Sequence, residues 1–399
     1  MEILNSTSGL LDLAIIGGGP AGTAAALEAG RCGLHVAIWE RDCFPRDKVC
    51  GEFISSEALP LLQTVIPSAV ARGAVIQGAE FASNAFAQAF RLPRAALGLS
   101  RHLLDAELWK ACEAAGIEVH EAECIRKVRR LASGRWQQRA WEIESASGST
   151  RTAKSLIVAC GRWWALDGLP SPARAGASVR AGRWLGAKAH FAGVAPRGNV
   201  EMYFFRGGYC GLAPVEDGAY NVCCLVHRER VRECGGAEWL KDFAAWLGQL
   251  SCHPALEARL RGAVQVTPVV TTAPVHVARG RPVQQGALMI GDASGFLDPF
   301  TGEGISMALH SGRLAARAIV TSLSEGFSGE QAAEVYRENL ARAVRRTYKI
   351  AGVARSLIHG PAWVQSLATA PLRLIGKRLV SATRWREGRE ERSSGSNWN

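Results

Sequence analysis

Apolar and polar positions change rhythm several times along the chain. Leu11 to Ile16 is a short apolar run that stops at Gly17. Pro20 to Arg31 is an Ala-rich helical stretch, and His35 to Trp39 is a second apolar run. The opening therefore reads as buried strand, helix and buried strand, the βαβ unit of a parallel sheet. Ser56 to Val65 has a helical pattern, and Val75 to Phe90 alternates as strands do. From Arg101 to Ala115 the apolar residues Leu104, Leu108, Ala111 and Ala115 form a helical stripe. Gly116 closes it before a strand at Ile117 to His120, and a β-ribbon follows. Leu156 to Ala159 is again a buried-strand run.

Gly186 to Phe191, Val200 to Phe205 and Ala219 to Val226 read as strands of a separate sheet layer, interrupted by one helix from Ala237 to Leu250. Ala287 to Ile290 returns as a strand, Gly304 to Leu323 as a helix, and Glu330 to Arg386 as further helix. The expected architecture is an α/β fold with a Rossmann-like dinucleotide-binding domain, a second β-sheet substrate domain and C-terminal helices. The first domain is assigned discontinuously to residues 1–72, 100–175 and 276–330. The second takes 73–99 and 176–275, and a helical region with a basic tail takes 331–399.

Composition narrows the setting. At 399 residues and 48% hydrophobic content the chain can bury a sizeable core. Met1 to Gly9 carries no basic stretch, and the apolar run Leu13 to Leu27 is broken by four glycines and Pro20, so the expectation is a cytoplasmic chain without a leader or span. Eleven cysteines include no Cys-x-x-Cys pair, and Cys43 and Cys50 are six residues apart in the gap between them, which disfavours disulfide-exchange chemistry. Nine histidines form no ligand motif, and no metal site is expected. The formal charge is +11, and Ala341 to Asn399 holds twelve Lys or Arg against three Glu. That tail is a candidate for contact with an anionic membrane surface, which would make the protein peripheral to it. No nucleic-acid partner is expected.

The chemistry is carried by glycines. Gly17, Gly19 and Gly22 stand as G-x-G-x-x-G between a strand and a helix, with Pro20 and Ala21 between them. Gly17 permits the tight turn, Gly19 the approach of a pyrophosphate, and Gly22 close helix–strand packing, while the helix N-terminus offers unpaired N–H groups. Glu40, 18 residues beyond Gly22, ends the second strand and is placed for a ribose diol. Arg41 follows it as a candidate cofactor-binding cation.

Gly291-Asp292-Ala293 followed by Asp298-Pro299-Phe300-Thr301-Gly302-Glu303-Gly304 resembles the second FAD motif of the p-hydroxybenzoate hydroxylase and geranylgeranyl reductase group, and Arg101, Leu104, Asp105 and Leu108 resemble that group's R-x-x-L-D-x-x-L helix. The resemblance implies FAD, with Asp292 on the ribityl chain, Arg101 near the phosphates, and Pro299, Gly302, Gly304 and Ile305 along the isoalloxazine. Cys160-Gly161 stands where many hydroxylases of the group carry Asp-Gly, so the electron donor is left between transiently docked NAD(P)H and a separate reductase. The segment Phe44 to Glu52 resembles a loop of geranylgeranyl reductases that runs beside the cofactor and presents a Cys-Gly pair near the ring, which implies Arg46 or Lys48 as a cofactor-binding cation on the phosphate, Cys50 as a candidate proton donor or substrate contact, and Glu52 as a candidate buried acid. The W-x-W-x-I-P signature of flavin halogenases is absent.

Tyr203, Phe205, Tyr209 and Cys210 are candidates for the substrate wall, and the scarcity of charge around them points to an apolar or aromatic small molecule. Three functions are expected, in this order: an FAD-dependent monooxygenase acting through a flavin C4a-hydroperoxide, a geranylgeranyl reductase-like enzyme reducing C=C bonds of a prenyl chain, and a non-catalytic membrane-associated flavoprotein.

Overall fold

The computed structural model describes residues 9–84, 86–131, 140–162, 165–170, 184–235, 242–275, 280–296 and 299–358. Its first sheet is built on the apolar runs. Leu10–Ile16 lies between Thr150–Val158 and Val36–Trp39, parallel to both, and Ala287–Met289 and Glu118–His120 extend the parallel array on either side. The ribbon Ile125–Leu131 and Ala140–Ser145 folds onto Thr150–Val158 antiparallel. Because parallel strands carry helices on their faces, the central strand is apolar except at Asp12: Leu11, Leu13, Ala14 and Ile15 are wholly buried.

Helices Pro20–Arg31 and Gly304–Glu325 pack against each other on one face. Their contact is close because residue 312 is a glycine, and a Cβ there would come within 2.2 Å of the Ala21 carbonyl oxygen. A second close contact sets Gly291 beside Ala21, with a Cβ on Gly291 reaching 3.0 Å from that of Ala21. Sequence-distant turns are thus brought to one end of the first helix.

The second sheet has nine strands, among them Ala74–Ala82, Ala87–Gly98, Trp184–Ala192, Asn199–Phe205, Gly208–Pro214 and Tyr220–His227. Phe53–Ile54, which the sequence reading puts with the first domain, pairs at its edge. Gly208–Pro214 is a strand that two glycines and a proline disguise as a turn. It forms a hairpin with Asn199–Phe205, closed at Arg206-Gly207 with Gly207 at φ +84°. The helix expected from Ala237 is seen as Phe243–Ser251, and 236–241 lies outside the described residues. The helix Gly329–Ile358 is present, while residues 359–399, most of the expected basic tail, lie outside the described ones. Among the described residues no helix is long and apolar enough to cross a membrane.

The two faces of this sheet have different partners. Ala187, Ala189, Tyr203, Cys210, Leu212, Val222 and Cys224 pack under Phe243, Trp246 and Leu250 of the helical cover. The alternate positions Met202, Phe204, Tyr209 and Leu225 form an apolar layer that meets Phe296 and Phe300 from the second Gly-rich turn. Polar residues share that second face at one end, where Lys188 lies opposite Cys223 and His190 opposite Asn221.

Candidate functional site

The turn after Leu10–Ile16 is constrained at Gly17 and Gly22. Gly17 has φ +112°, and a Cβ on Gly22 would lie 1.9 Å from the Gly17 carbonyl oxygen. Gly19 is different. A Cβ there would meet only guanidinium groups, Arg101 Nη2 at 3.7 Å and Arg46 Nη2 at 3.9 Å. The helix that begins at Pro20 has no side-chain cap, so its N-terminal dipole and two arginines converge on the backbone of Gly19.

Asp105 holds those arginines. It is wholly buried, accepts from Arg101 Nε and Nη2 at 2.6 and 2.7 Å, and lies 3.5 Å from Arg46 Nε. Burial alone would lower the Arg101 guanidinium, but Asp105 more than offsets it and raises the pKa, so the charge is kept. Glu40 accepts from the Gly18 N–H at 2.8 Å and pairs with Arg46 at 2.5 Å, which fixes the glycine turn as well as the arginine.

Asp292 sits in a turn capped by Ser311, whose hydroxyl accepts from Gly291 N–H at 2.9 Å. Burial raises the Asp292 carboxyl, while the positive charges of Arg162 and Arg101 pull the other way. The helix Gly304–Glu325 opens onto the same region without a side-chain cap. Added Cβ atoms at Gly51 and Gly304 would meet nothing within 4 Å, whereas one at Gly302 would meet the Phe53 ring at 3.0 Å.

This donor set fits FAD. The open approach at Gly19 flanked by two cations suits a diphosphate, and the side chain of Arg46 is nine-tenths buried with its Nε making no hydrogen bond among the described residues. The half-buried Asp292 suits a sugar-alcohol hydroxyl, and the uncapped N-terminus of the helix at Gly304 is left open to a further group. Asp292→Ala is expected to weaken FAD binding by about 10- to 100-fold, the loss of one or two buried hydrogen bonds to a charged acceptor. Titration of FAD fluorescence checks it, and unchanged affinity would remove Asp292 from the site.

The Cys50 loop crosses from this recess to the second sheet. Asn221 Nδ2 donates to the Cys50 carbonyl at 2.9 Å, and Glu52 N–H lies 3.4 Å from Cys50 Sγ. Glu52 is wholly buried at φ +55°, a left-handed conformation that costs a non-glycine residue about 1–3 kcal/mol. Its carboxylate is held by Lys188 Nζ at 2.5 Å, His190 Nε2 at 2.6 Å and the Arg101 N–H at 2.7 Å, and Lys188 reaches on to Asp47 at 3.0 Å. Burial pushes the Cys50 thiol up, opposed chiefly by Arg101.

Several sequence expectations need correction. Arg41 is exposed and leans on Asp42, and Lys48 is drawn to Asp42 at 2.5 Å, so neither joins Arg46 at Gly19. Ile305 buries its side chain among Ile54, Leu104 and Leu108, which leaves only its backbone for a cofactor. Asp298 and the side chain of Pro299 lie outside the described residues. Tyr203, Phe205 and Cys210 face the helical cover, where strand alternation puts them, and of the four proposed wall residues only Tyr209 faces the recess. Met202, Phe204 and Leu225 stand beside it instead. Lys188 and His190 escaped notice, although two polar residues at i and i+2 in an apolar strand mark a face that needs a partner.

The family described as Pyridine nucleotide-disulphide oxidoreductase matches residues 11–181. Curated relatives include the conditioned medium factor receptor 1 of Dictyostelium discoideum, 25% identical over 82% of this chain and 67% of its own length. Digeranylgeranylglycerophospholipid reductase 2 of Methanopyrus kandleri is 26% identical over 85% of this chain and 84% of the relative. The menaquinone reductase of Mycolicibacterium smegmatis is 26% identical over 92% of both. Among solved structures, the flavin-dependent brominase Bmp2 superposes with a TM-score of 0.72 at 19% identity over 94% of each chain. A geranylgeranyl bacteriochlorophyll reductase-like protein of Thermoplasma acidophilum gives 0.69 at 18% identity, covering 94% of this chain and 92% of its own. The structural likenesses establish the fold.

Proposed function

We propose that this chain, an FAD-dependent oxidoreductase of the p-hydroxybenzoate hydroxylase and geranylgeranyl reductase group, reduces isolated C=C bonds in the prenyl chain of a lipid. The observation that carries this reading is the placement of Cys50, whose carbonyl accepts from Asn221 of the second sheet at 2.9 Å and whose thiol lies 3.4 Å from the Glu52 N–H, in surroundings that push the thiol pKa up. Saturation of an alkene needs a hydride on one carbon and a proton on the other. Bound reduced FAD supplies the hydride. Cys50 Sγ–H supplies the proton, and Arg101 stabilises the thiolate left behind.

The wall supports the same choice. Phe90, Phe81, Phe204 and Phe300 follow one another at centroid separations of 5.4, 6.0 and 6.5 Å, an aromatic line suited to an apolar chain. The names of two curated relatives, a digeranylgeranylglycerophospholipid reductase and a menaquinone reductase, describe enzymes whose substrates carry such chains. An apolar wall would also serve the hydroxylation ranked first from sequence, but hydroxylation gives no task to a protonated thiol.

The test is anaerobic turnover of dithionite-reduced holoprotein with geranylgeraniol and with a prenylated quinone, read by mass spectrometry. The expected product gains two hydrogens per saturated bond. An oxygenated product formed only in air would replace the reductase with the monooxygenase, and loss of vesicle binding on deleting Pro371 to Asn399, with turnover absent throughout, would support the non-catalytic reading. Replacing dithionite by NADPH or NADH identifies the donor. In the same assay Cys50→Ser is expected to slow reduction about 10²- to 10⁴-fold, the usual worth of a placed proton donor, with FAD retained. Parent-like turnover would make the thiol structural.

A further inference from the structure

The helix Phe243–Ser251 ends beside two cysteines that come from different parts of the chain. Cys252 follows it directly, is exposed, and turns the backbone at φ +46°. Cys234 ends the short helix Arg228–Glu233 and is partly buried against the helical cover of the second sheet. Both sulfurs lie against one atom, the Gln249 carbonyl oxygen, Cys252 Sγ at 3.2 Å and Cys234 Sγ at 4.0 Å. That oxygen belongs to the last turn of its helix, where carbonyls lack an intrahelical donor. Arg230 Nη2 reaches the same oxygen at 3.5 Å and Cys252 Sγ at 3.6 Å, and its Nε donates to the Leu250 carbonyl at 3.0 Å. The two sulfurs can therefore stand no further apart than the two sulfur–oxygen lengths laid end to end, and rotation about each Cα–Cβ bond is the motion that closes the remainder.

We propose that Cys234 and Cys252 are a peroxide-sensitive dithiol that closes to a disulfide and ties the helix Arg228–Glu233 to the end of Phe243–Ser251. The oxidant is hydrogen peroxide, which a reduced flavin releases when it meets oxygen. The exposed Cys252 gives up its proton, with Arg230 as a donor to the thiolate, and attacks one peroxide oxygen. The O–O bond breaks, the departing hydroxide takes up the proton as water, and a sulfenic acid is left on Cys252. The Cys234 sulfur then attacks that sulfur, an S–S bond replaces the S–O bond, and a second water leaves with the Cys234 proton. Two thiols lose two electrons and two protons, and one peroxide becomes two waters. Cys210 and Cys224 also sit opposite each other, on neighbouring strands, but both are buried beneath the cover, out of reach of an oxidant. The Cys234 and Cys252 pair belongs to the covered face of the sheet, away from the Gly-rich turns, so its oxidation leaves FAD in place.

The test uses the full-length holoprotein, reduced and then freed of reductant, with hydrogen peroxide as the probe. After exposure the remaining thiols are alkylated with iodoacetamide in urea, and trypsin, which cuts at Lys241 between the two cysteines, gives separate peptides for mass spectrometry without reduction. The expected result is loss of both alkylated peptides and gain of one linked species two hydrogens lighter than the unmodified pair, returned to two thiols by dithiothreitol. Cys210 and Cys224 should still be alkylated, and flavin content should be unchanged. Cys234→Ser should give no linked species and should stop Cys252 at the sulfenic acid, which dimedone traps. A link between two chains, a link through any other cysteine, or both peptides still fully alkylated after peroxide overturns the proposal. So does a link that forms as fast in urea as in native buffer, because the proximity would then come from the chain and not from the fold.

Discussion

Gly19→Val is expected to give a folded protein that cannot retain FAD, whereas Gly22→Val, three residues on, should fail as a protein. The distinction follows from what each added side chain would meet. At Gly19 the nearest atoms are guanidinium nitrogens in ordinary contact at 3.7 and 3.9 Å, so the chain tolerates the substitution and the cost falls on the diphosphate that would have to lie there. FAD affinity should drop by more than about 100-fold, the penalty for displacing a group held by charge-assisted hydrogen bonds. At Gly22 the new Cβ would lie 1.9 Å from the backbone oxygen of Gly17, and backbone cannot yield as a side-chain tip can. A loss of about 3 kcal/mol or more is expected, at the upper end for overpacking. Flavin content of the purified proteins together with urea unfolding separates the two. A fully flavinated Gly19→Val protein would show that the cofactor lies elsewhere.

The second large effect should come from Lys188→Met. The lysine is 1% exposed and its ammonium is one of three donors to a carboxylate that has no access to solvent. Its removal leaves Glu52 charged in a dry interface with His190 and one backbone N–H, and breaking such a pair from one side costs about 3–5 kcal/mol. Glu52→Gln combined with Lys188→Met should recover part of that loss, because the uncompensated charge goes with the partner. The measurement is the urea midpoint of the single and double variants against the parent. A single variant within about 1 kcal/mol of the parent would mean that water or Asp47 rearranges to serve the carboxylate, and that the cluster does not hold the two sheets together.

What could be read from sequence was what local chemistry dictates. The G-x-G-x-x-G turn, the buried parallel strands, the Arg101 helix and the Gly291-Asp292 turn each announce themselves within a few residues, and the structure brings them to one place. Arg46 and Lys48 could not be told apart, because both follow the same strand and both find Asp42, and only the fold decides that Arg46 also reaches Gly19. The wall was misread for a related reason. Tyr203, Phe205 and Cys210 belong to well-marked strands, but alternation gives two faces without saying which one a helix will cover. The strand at Gly208–Pro214 was hidden by its glycines, one of which, Gly211, leaves room for the Met202 sulfur at 3.2 Å from its missing Cβ. Glu52 looked like a candidate acid on composition alone, and only its partners on Trp184–Ala192 show it to be a tie between layers.

The two-faced second sheet has an evolutionary consequence. Met202, Phe204, Tyr209 and Leu225 shape the recess, while their immediate neighbours in sequence carry the packing against the helical cover. Ligand preference and folding are thus written on alternate letters of the same three strands. A lineage can revise one set at little expense to the other, so a scaffold of this kind can change what it accepts while its glycine turns stay as they are.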